Sequence, residues 1–523
     1  MKPPPRPPLI APFGSPGPAA RRRRSRDPLI AALLWTLTAA TACQSAPQPA
    51  PEVPTPGQEA QDEPMNPMTP PGDLALSALG ASFSDDASKI IDGALATSQA
   101  YNKLEALCLE VGPRLSGSPA LDEAIRWSME ELKKDGHDKV RAEPAMVPRW
   151  VRGAESAAVT APRAFPLTML GLGGSVGTPK RGLEAEVVVV ANEEELEAAA
   201  PRIEGRIVLF NNPMPPFSHE TGTGYGHTVR FRVNGADMAS AHGALAVLVR
   251  SVTARSLNSP HTGMLSYKDE VPRIPAAAIT TEDADTIAGL VRRGHAVKVK
   301  LSMEARNHDP VPSANVVAEL TGREAPEEVV VISGHLDSWD VGHGAHDDGA
   351  GCVIAMEALS VLRRLGMTPR RTLRVVLWTN EENGLMGAKA YAQDHAGELR
   401  LHAAAVESDS GGFDPASIAV HHQDPERQAR AAATLEGLLP LFAPVRTGTV
   451  LRGFAGADVG VMLTDDVPLL GLVSDPSQYF DYHHSHADTF DKIDKAELDR
   501  SVAAMALLAF ILAEMPGRLG DLP

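Results

Sequence analysis

Cysteine is scarce in this chain of 523 residues: Cys43, Cys108 and Cys352 are the only three. They are too few for a disulfide scaffold, and their spacing fits no structural zinc motif. A metal bound here must therefore use His, Asp and Glu. An excess of base is missing too. The 49 Lys and Arg stand against 66 Asp and Glu, and the formal net charge of −17 argues against a protein that works on nucleic-acid phosphates. Apolar runs of membrane length are also lacking, because the stretches 29–42 and 501–515 fall short of the roughly 20 residues that a span needs. The second of them follows Asp499 and Arg500 and reads as a buried terminal helix. With 43% hydrophobic and 22% charged residues, collagen, coiled coil and wholesale disorder are excluded. What remains is a globular chain long enough for two or three packed units.

The ends differ from the middle. Of the 44 prolines, 18 lie within residues 1–71, a stretch that cannot pack. Seven bases (Lys2, Arg6, Arg21 to Arg24, Arg26) precede the first acid, Asp27, and the apolar run 29–42 then ends in small residues before Cys43. Residues 1–42 thus read as an export signal. Ala40 to Cys43 resembles a bacterial lipobox, which predicts a lipid on Cys43, and membrane contact through that lipid alone, in a cell-envelope lipoprotein or otherwise a secreted protein. Residues 43–80 read as an acidic, Pro-rich tether.

A helix is predicted over Pro119–Lys134, with Ser118 as cap, Pro119 in its first turn, and Leu121, Ile125, Met129 and Leu132 on one face. Residues 81–159 make an N-terminal part of the main domain. From 160 to 310 the texture changes to short strands and turns, a separate β-rich insert. From 311 to 523 strands alternate with helices. Buried strands are predicted at 328–332, 372–378, 403–406 and 467–473, and helices near 349–365, 385–396, 424–438 and 495–514. This is an α/β fold, a sheet sandwiched by helices. Ligands of such sheets sit beyond the carboxyl ends of the strands.

Those ends carry His335, Asp337 and Asp340, then His343, His346, Asp347 and Asp348; next Glu381 and Glu382; next Glu407 and Asp409; and last His483, His484, His486 and Asp488. Each cluster alone is ordinary, since Asp-Asp-Gly is a turn and Glu-Glu opens helices. Four of them on consecutive strand ends of one α/β unit predict a metal site. Oxygen ligands plus imidazole suit zinc, and two ions about 3.5 to 4 Å apart can share a carboxylate and activate water.

The ordered pattern from His335 to Asp348, through Glu381-Glu382 and Glu407-Ser408-Asp409, to His483 and Thr489 resembles the co-catalytic zinc exopeptidases of the aminopeptidase Y and carboxypeptidase Q type. Residues 112–117 and 147–152 extend the resemblance, which covers roughly 95 to 515. It implies a protease-associated-like insert and short peptide substrates. It further implies two zinc ions, one held by His335 and Asp409, the other by Glu382 and His484, with Asp347 bridging. His484 is chosen over His483 and His486 because it stands four residues before Asp488. Glu381 is then the general base and Asp337 the acceptor of the other His335 N–H. The Asp347–Asp348 bond is expected to be cis, and His343 and His346 to be rim residues. Two other functions stay open on this fold: a single-zinc acyltransferase resembling glutaminyl cyclase, and a metal-free binding protein. Amino-end or carboxyl-end recognition, and a homodimer, are left open.

Overall fold

The computed structural model describes residues 75–255, 257–463 and 467–521. The predicted export signal, Cys43 and nearly all of the tether lie outside the described residues. Among the described residues no helix is long and apolar enough to cross a membrane.

Eight strands form the main sheet. In spatial order they are Asp138–Val151, Arg306–Leu320, Arg371–Trp378, Ala325–His335, His402–Glu407, Leu469–Ser474, Pro415–His421 and Thr449–Arg452. Its centre is parallel, from Arg371–Trp378 through Leu469–Ser474, and its first edge is a long antiparallel pair, Asp138–Val151 with Arg306–Leu320. Every residue of Arg371–Trp378 is buried, as expected of a strand covered on both faces. Val330, Ile332 and Val406 pack against helices Ser84–Thr97, Ala350–Arg364 and Lys495–Glu514. Their neighbours Val329, Val331 and Ala405 turn to the other face, with Ala388, Tyr391 and Val459. The apolar C-terminal stretch is the helix Lys495–Glu514, capped by the Asp494 carboxylate and buried from Leu498 to Ala513 save where it meets the surface.

A second eight-stranded sheet is strung between the two edge strands, its strands running from Glu155–Ala161 to Lys298–Met303. Four of them, Leu183–Val190, Ile207–Phe210, Ala246–Arg250 and Ala276–Ile279, are parallel neighbours. This unit also holds helices Glu193–Ala199, Tyr225–Ser240 and Thr281–Arg292, where the sequence pattern showed strands and turns. Tyr225–Ser240 escapes pattern reading for a physical reason. It is buried nearly all round and includes buried Thr228, Arg232, Asp237 and Ser240, so it presents no apolar stripe.

Helix Ala350–Arg364 starts under the sheet's carboxyl edge, and its position depends on Gly351. A Cβ there would lie 1.9 Å from the Ser408 carbonyl oxygen and 2.4 Å from the Asp348 carboxylate. Both obstacles are held in place, so the helix would have to move. Gly351→Ala is expected to lower unfolding stability by about 1–3 kcal/mol in urea titrations, the range for overpacking a filled core.

Candidate metal centre

Strand register brings the site residues to one level. His335 pairs with Trp378 across the sheet, and Ser333 with Glu407. His335 thus ends its strand beside the turn that carries Glu381 and Glu382, and beside the segment that carries Asp409. His484 follows the short helix Tyr479–Tyr482 and adopts a left-handed backbone, φ 59°.

The expected five ligand residues converge. His335 Nε2 lies 3.2 Å from Asp347 Oδ1 and 3.5 Å from Asp409 Oδ1. On the other side His484 Nε2 lies 3.1 Å from Asp347 Oδ2 and 3.0 Å from Glu382 Oε2. Atoms bound tetrahedrally to zinc at about 2.0–2.1 Å stand about 3.3 Å from one another, so both groups have the spacing of a ligand shell. Buried Asp347 Oδ2 and Glu382 Oε1 have no hydrogen-bond donor, a cost that a cation removes. The titration behaviour agrees. Burial, then the neighbouring Asp347, push the Glu382 carboxyl up to about 7. Burial, opposed by His335 and reinforced by Asp409 and Glu382, raises Glu381 well above the usual range. At His335 burial disfavours the charged ring, but Asp409 and Asp347 prevail and raise its pKa.

The supporting groups hold Asp347 in place. The Asp347–Asp348 peptide is cis, as the resemblance implied. Asp348 accepts the N–H groups of His335 and Gly351. Asp488 accepts those of Ala345, His346 and Asp347. Arg114, fully buried, donates to the carbonyls of Gly112, Leu336, His343 and Gly344, tying down the loop between His335 and Asp347. The roles of Arg114 and Asp488 were not assigned from sequence, although both stand inside the motifs that carried the resemblance. Glu407, which accepts the N–H groups of Ala457, Asp458 and Val459, was also left without a role.

Asp337 differs from expectation. The His335 Nδ1–H donates to its backbone carbonyl, at 2.9 Å, while its carboxylate stands 3.9 Å away and accepts the Glu381 N–H instead. The backbone carbonyl of Asp337, not the expected carboxylate, is thus the partner of the His335 ring. Of the spare histidines, His483 approaches Asp347 Oδ2 at 3.8 Å and could join a ligand group with His484. His343 Nδ1 accepts the Phe490 N–H. His346 is no rim residue. It is buried and packed parallel to the Phe413 and Tyr482 rings, with Nδ1 accepting the Gly412 N–H. Burial beside these aromatic rings removes it from water, which the acidic motif around it did not reveal.

Comparison with known proteins accords with this geometry. Residues 315–509 match peptidase family M28. The chain is 41% identical to carboxypeptidase Q of Homo sapiens over 438 residues, covering 83% of this chain and 90% of that protein. The Bos taurus protein of the same name matches with equal identity and coverage. A solved peptidase M28 precursor from Shewanella amazonensis SB2B superposes with a TM-score of 0.80 at 36% identity, over 85% of this chain and 99% of that one. A zinc aminopeptidase from Bacillus subtilis, at 18% identity and TM-score 0.57 over 81% and 97% of the chains, shares the fold.

Three N–H groups converge on the Asp488 carboxylate, so its loss frees the segment that aims Asp347. Asp488→Ala is expected to lower bound zinc in purified protein, measured by elemental analysis, by the roughly 10- to 100-fold affinity loss usual for residues that orient ligands.

Proposed function

This chain belongs to peptidase family M28, among its carboxypeptidase Q-like members, and is a metallo-exopeptidase; we propose that it uses two zinc ions and cleaves short peptides, dipeptides above all. One observation carries the dinuclear reading: the two oxygens of Asp347 face opposite ligand groups, His335 with Asp409 and Glu382 with His484. Zinc at these positions supplies Lewis acidity towards the scissile carbonyl and makes water acidic. The residues around it divide the remaining work. Glu381 lies 4.0 Å from His335 Nε2 and takes no part in the two ligand groups. Its carboxylate receives the proton of the attacking water and returns it to the leaving amine nitrogen. The Asp337 carboxylate, by accepting the Glu381 N–H, fixes the turn that presents this base.

Substrate polarity follows from which acids remain accessible. The side chains of Glu381 and Asp409 are 18% and 22% exposed, while those of Asp347 and Glu382 are nearly closed off. A peptide thus first meets acid, which favours a free α-ammonium group at the cleaved end. The second-sheet unit, read as protease-associated-like, pairs with residues 483–485 beside the centre, and this nearness supports exclusion of long chains. The basic and apolar pattern before Cys43 supports an exported, lipid-anchored protein, with the acidic tether as spacer.

The two adjacent glutamates separate the roles experimentally. Glu381→Gln is expected to keep both zinc ions and to lose roughly 10²- to 10⁴-fold in kcat. Glu382→Gln is expected to lose one zinc ion. A single tightly held zinc in fully active protein overturns the dinuclear reading.

End recognition is read from a dipeptide and its blocked forms. The unblocked dipeptide is expected to be hydrolysed and the N-acetylated one spared. Equal hydrolysis of both contradicts amino-end recognition, and rapid internal cleavage of casein contradicts exclusion of long chains.

A further inference from the structure

His484 belongs to the main domain, yet the groups that hold it come from the second-sheet unit. The chain of contacts begins at Ser251, just past strand Ala246–Arg250. Its hydroxyl donates to the Ile279 carbonyl, at 2.8 Å, and accepts the His261 N–H, at 2.9 Å. His261 Nδ1 lies 2.6 Å from the His483 carbonyl oxygen. A carbonyl only accepts, so this ring nitrogen carries the hydrogen. The next residue repeats the pattern: the Thr262 N–H donates to the His484 carbonyl, at 2.9 Å. His261 and Ser485 form an isolated antiparallel bridge, and the Thr262 hydroxyl is anchored on the Gly171 carbonyl. Residues 483–485 are thus paired to the second-sheet unit as a short strand is paired to its neighbour.

The pairing reaches the ligand ring. His484 Nδ1 stands 3.3 Å from the Thr262 carbonyl oxygen. An imidazole that gives Nε2 to a metal keeps its hydrogen on Nδ1 and needs an acceptor there, which sets ring orientation. The Arg232 guanidinium approaches the same nitrogen at 3.3 Å and, as an obligate donor, competes for it. His484 also holds a left-handed backbone, unusual for a residue with a side chain, so its conformation depends on these outside bonds.

We infer that the second-sheet unit positions the metal ligand His484 through His261 and Thr262, so that zinc at the Glu382–His484 position depends on docking of that unit. His261 and Ser251 are positioning residues, for they touch neither the metal ligands' side chains nor the reacting atoms. The inference rests on His484 being a ligand, and its test separates the two claims.

Full-length protein freed of metal is titrated with zinc against a chromophoric chelator. His261→Phe keeps a ring but loses the donor, and Ser251→Ala removes the group that anchors the His261 N–H. Both are expected to weaken one zinc site by about 10- to 100-fold and to leave the other unchanged. His261→Asn, which restores an N–H donor at the Nδ1 place, is expected to recover most of that loss. Thermal unfolding of the metal-free variants shows whether they are folded, and the comparison of Phe with Asn cancels a general loss of packing. Wild-type zinc affinity in His261→Phe, or equal losses in the Phe and Asn variants, overturns the inference. If His484→Ala also binds zinc with wild-type affinity, it is the ligand assignment that fails.

Discussion

A single carboxylate, that of Asp347, stands between two pairs of side chains, His335 with Asp409 and Glu382 with His484. One oxygen lies beside His335 and the other beside His484, at 3.2 and 3.1 Å. Much of the surrounding structure follows from that constraint. The backbone next to Asp347 is gripped from below by Asp348 bonds to His335 and Gly351, and from the side by three N–H bonds into Asp488. Arg114 holds the loop that leads to it through four carbonyls. Each bond also offsets the cost of burying a charged or polar group beneath the sheet edge.

The concentration of buried acid gives the site its electrical character. Asp347, Asp348, Glu382, Glu407, Asp458 and Asp488 are all buried, and their basic neighbours are imidazoles with the Arg114 and Arg232 guanidinium groups. One device makes part of this tolerable. Backbone N–H groups saturate the supporting acids, three on Glu407 and three on Asp488, so they are satisfied without any cation. Asp347 and Glu382, which face the centre, keep oxygens without donors, as do the Asp337 and Asp458 carboxylates behind it.

The second-sheet unit meets this centre through aromatic packing as well as backbone pairing. Trp339, just after the strand that ends in His335, lies edge-on to His484 and to Trp150, ring centroids 5.5 and 6.5 Å away. Gly173 of the second unit leaves room for it: a Cβ there would fall 2.0 Å from the indole. The unit is therefore fitted to the centre residue by residue, through a close approach that only glycine permits.

Local order was open to reading in the sequence because it depends on neighbours along the chain. The helix Pro119–Lys134 formed at its predicted bounds, since Ser118 and Pro119 define its start and the apolar face repeats every turn. The four buried strands of the main domain were legible for the same reason, while the expectation for the residues that gather beyond their ends rested on the resemblance carried by the long ordered motif. Partnerships across the fold were not legible. Sequence could name Asp337 as the partner of His335 but not choose its carbonyl over its carboxylate, because the turn decides which oxygen faces the ring. It could not pack His346 against Phe413 and Tyr482, which lie 67 and 136 positions further along in numbering. Nor could it show that His261, more than two hundred residues before His484, holds the segment that carries this ligand. Such contacts depend on how two sheets dock, and docking is a property of surfaces that the chain assembles only after its local elements have formed.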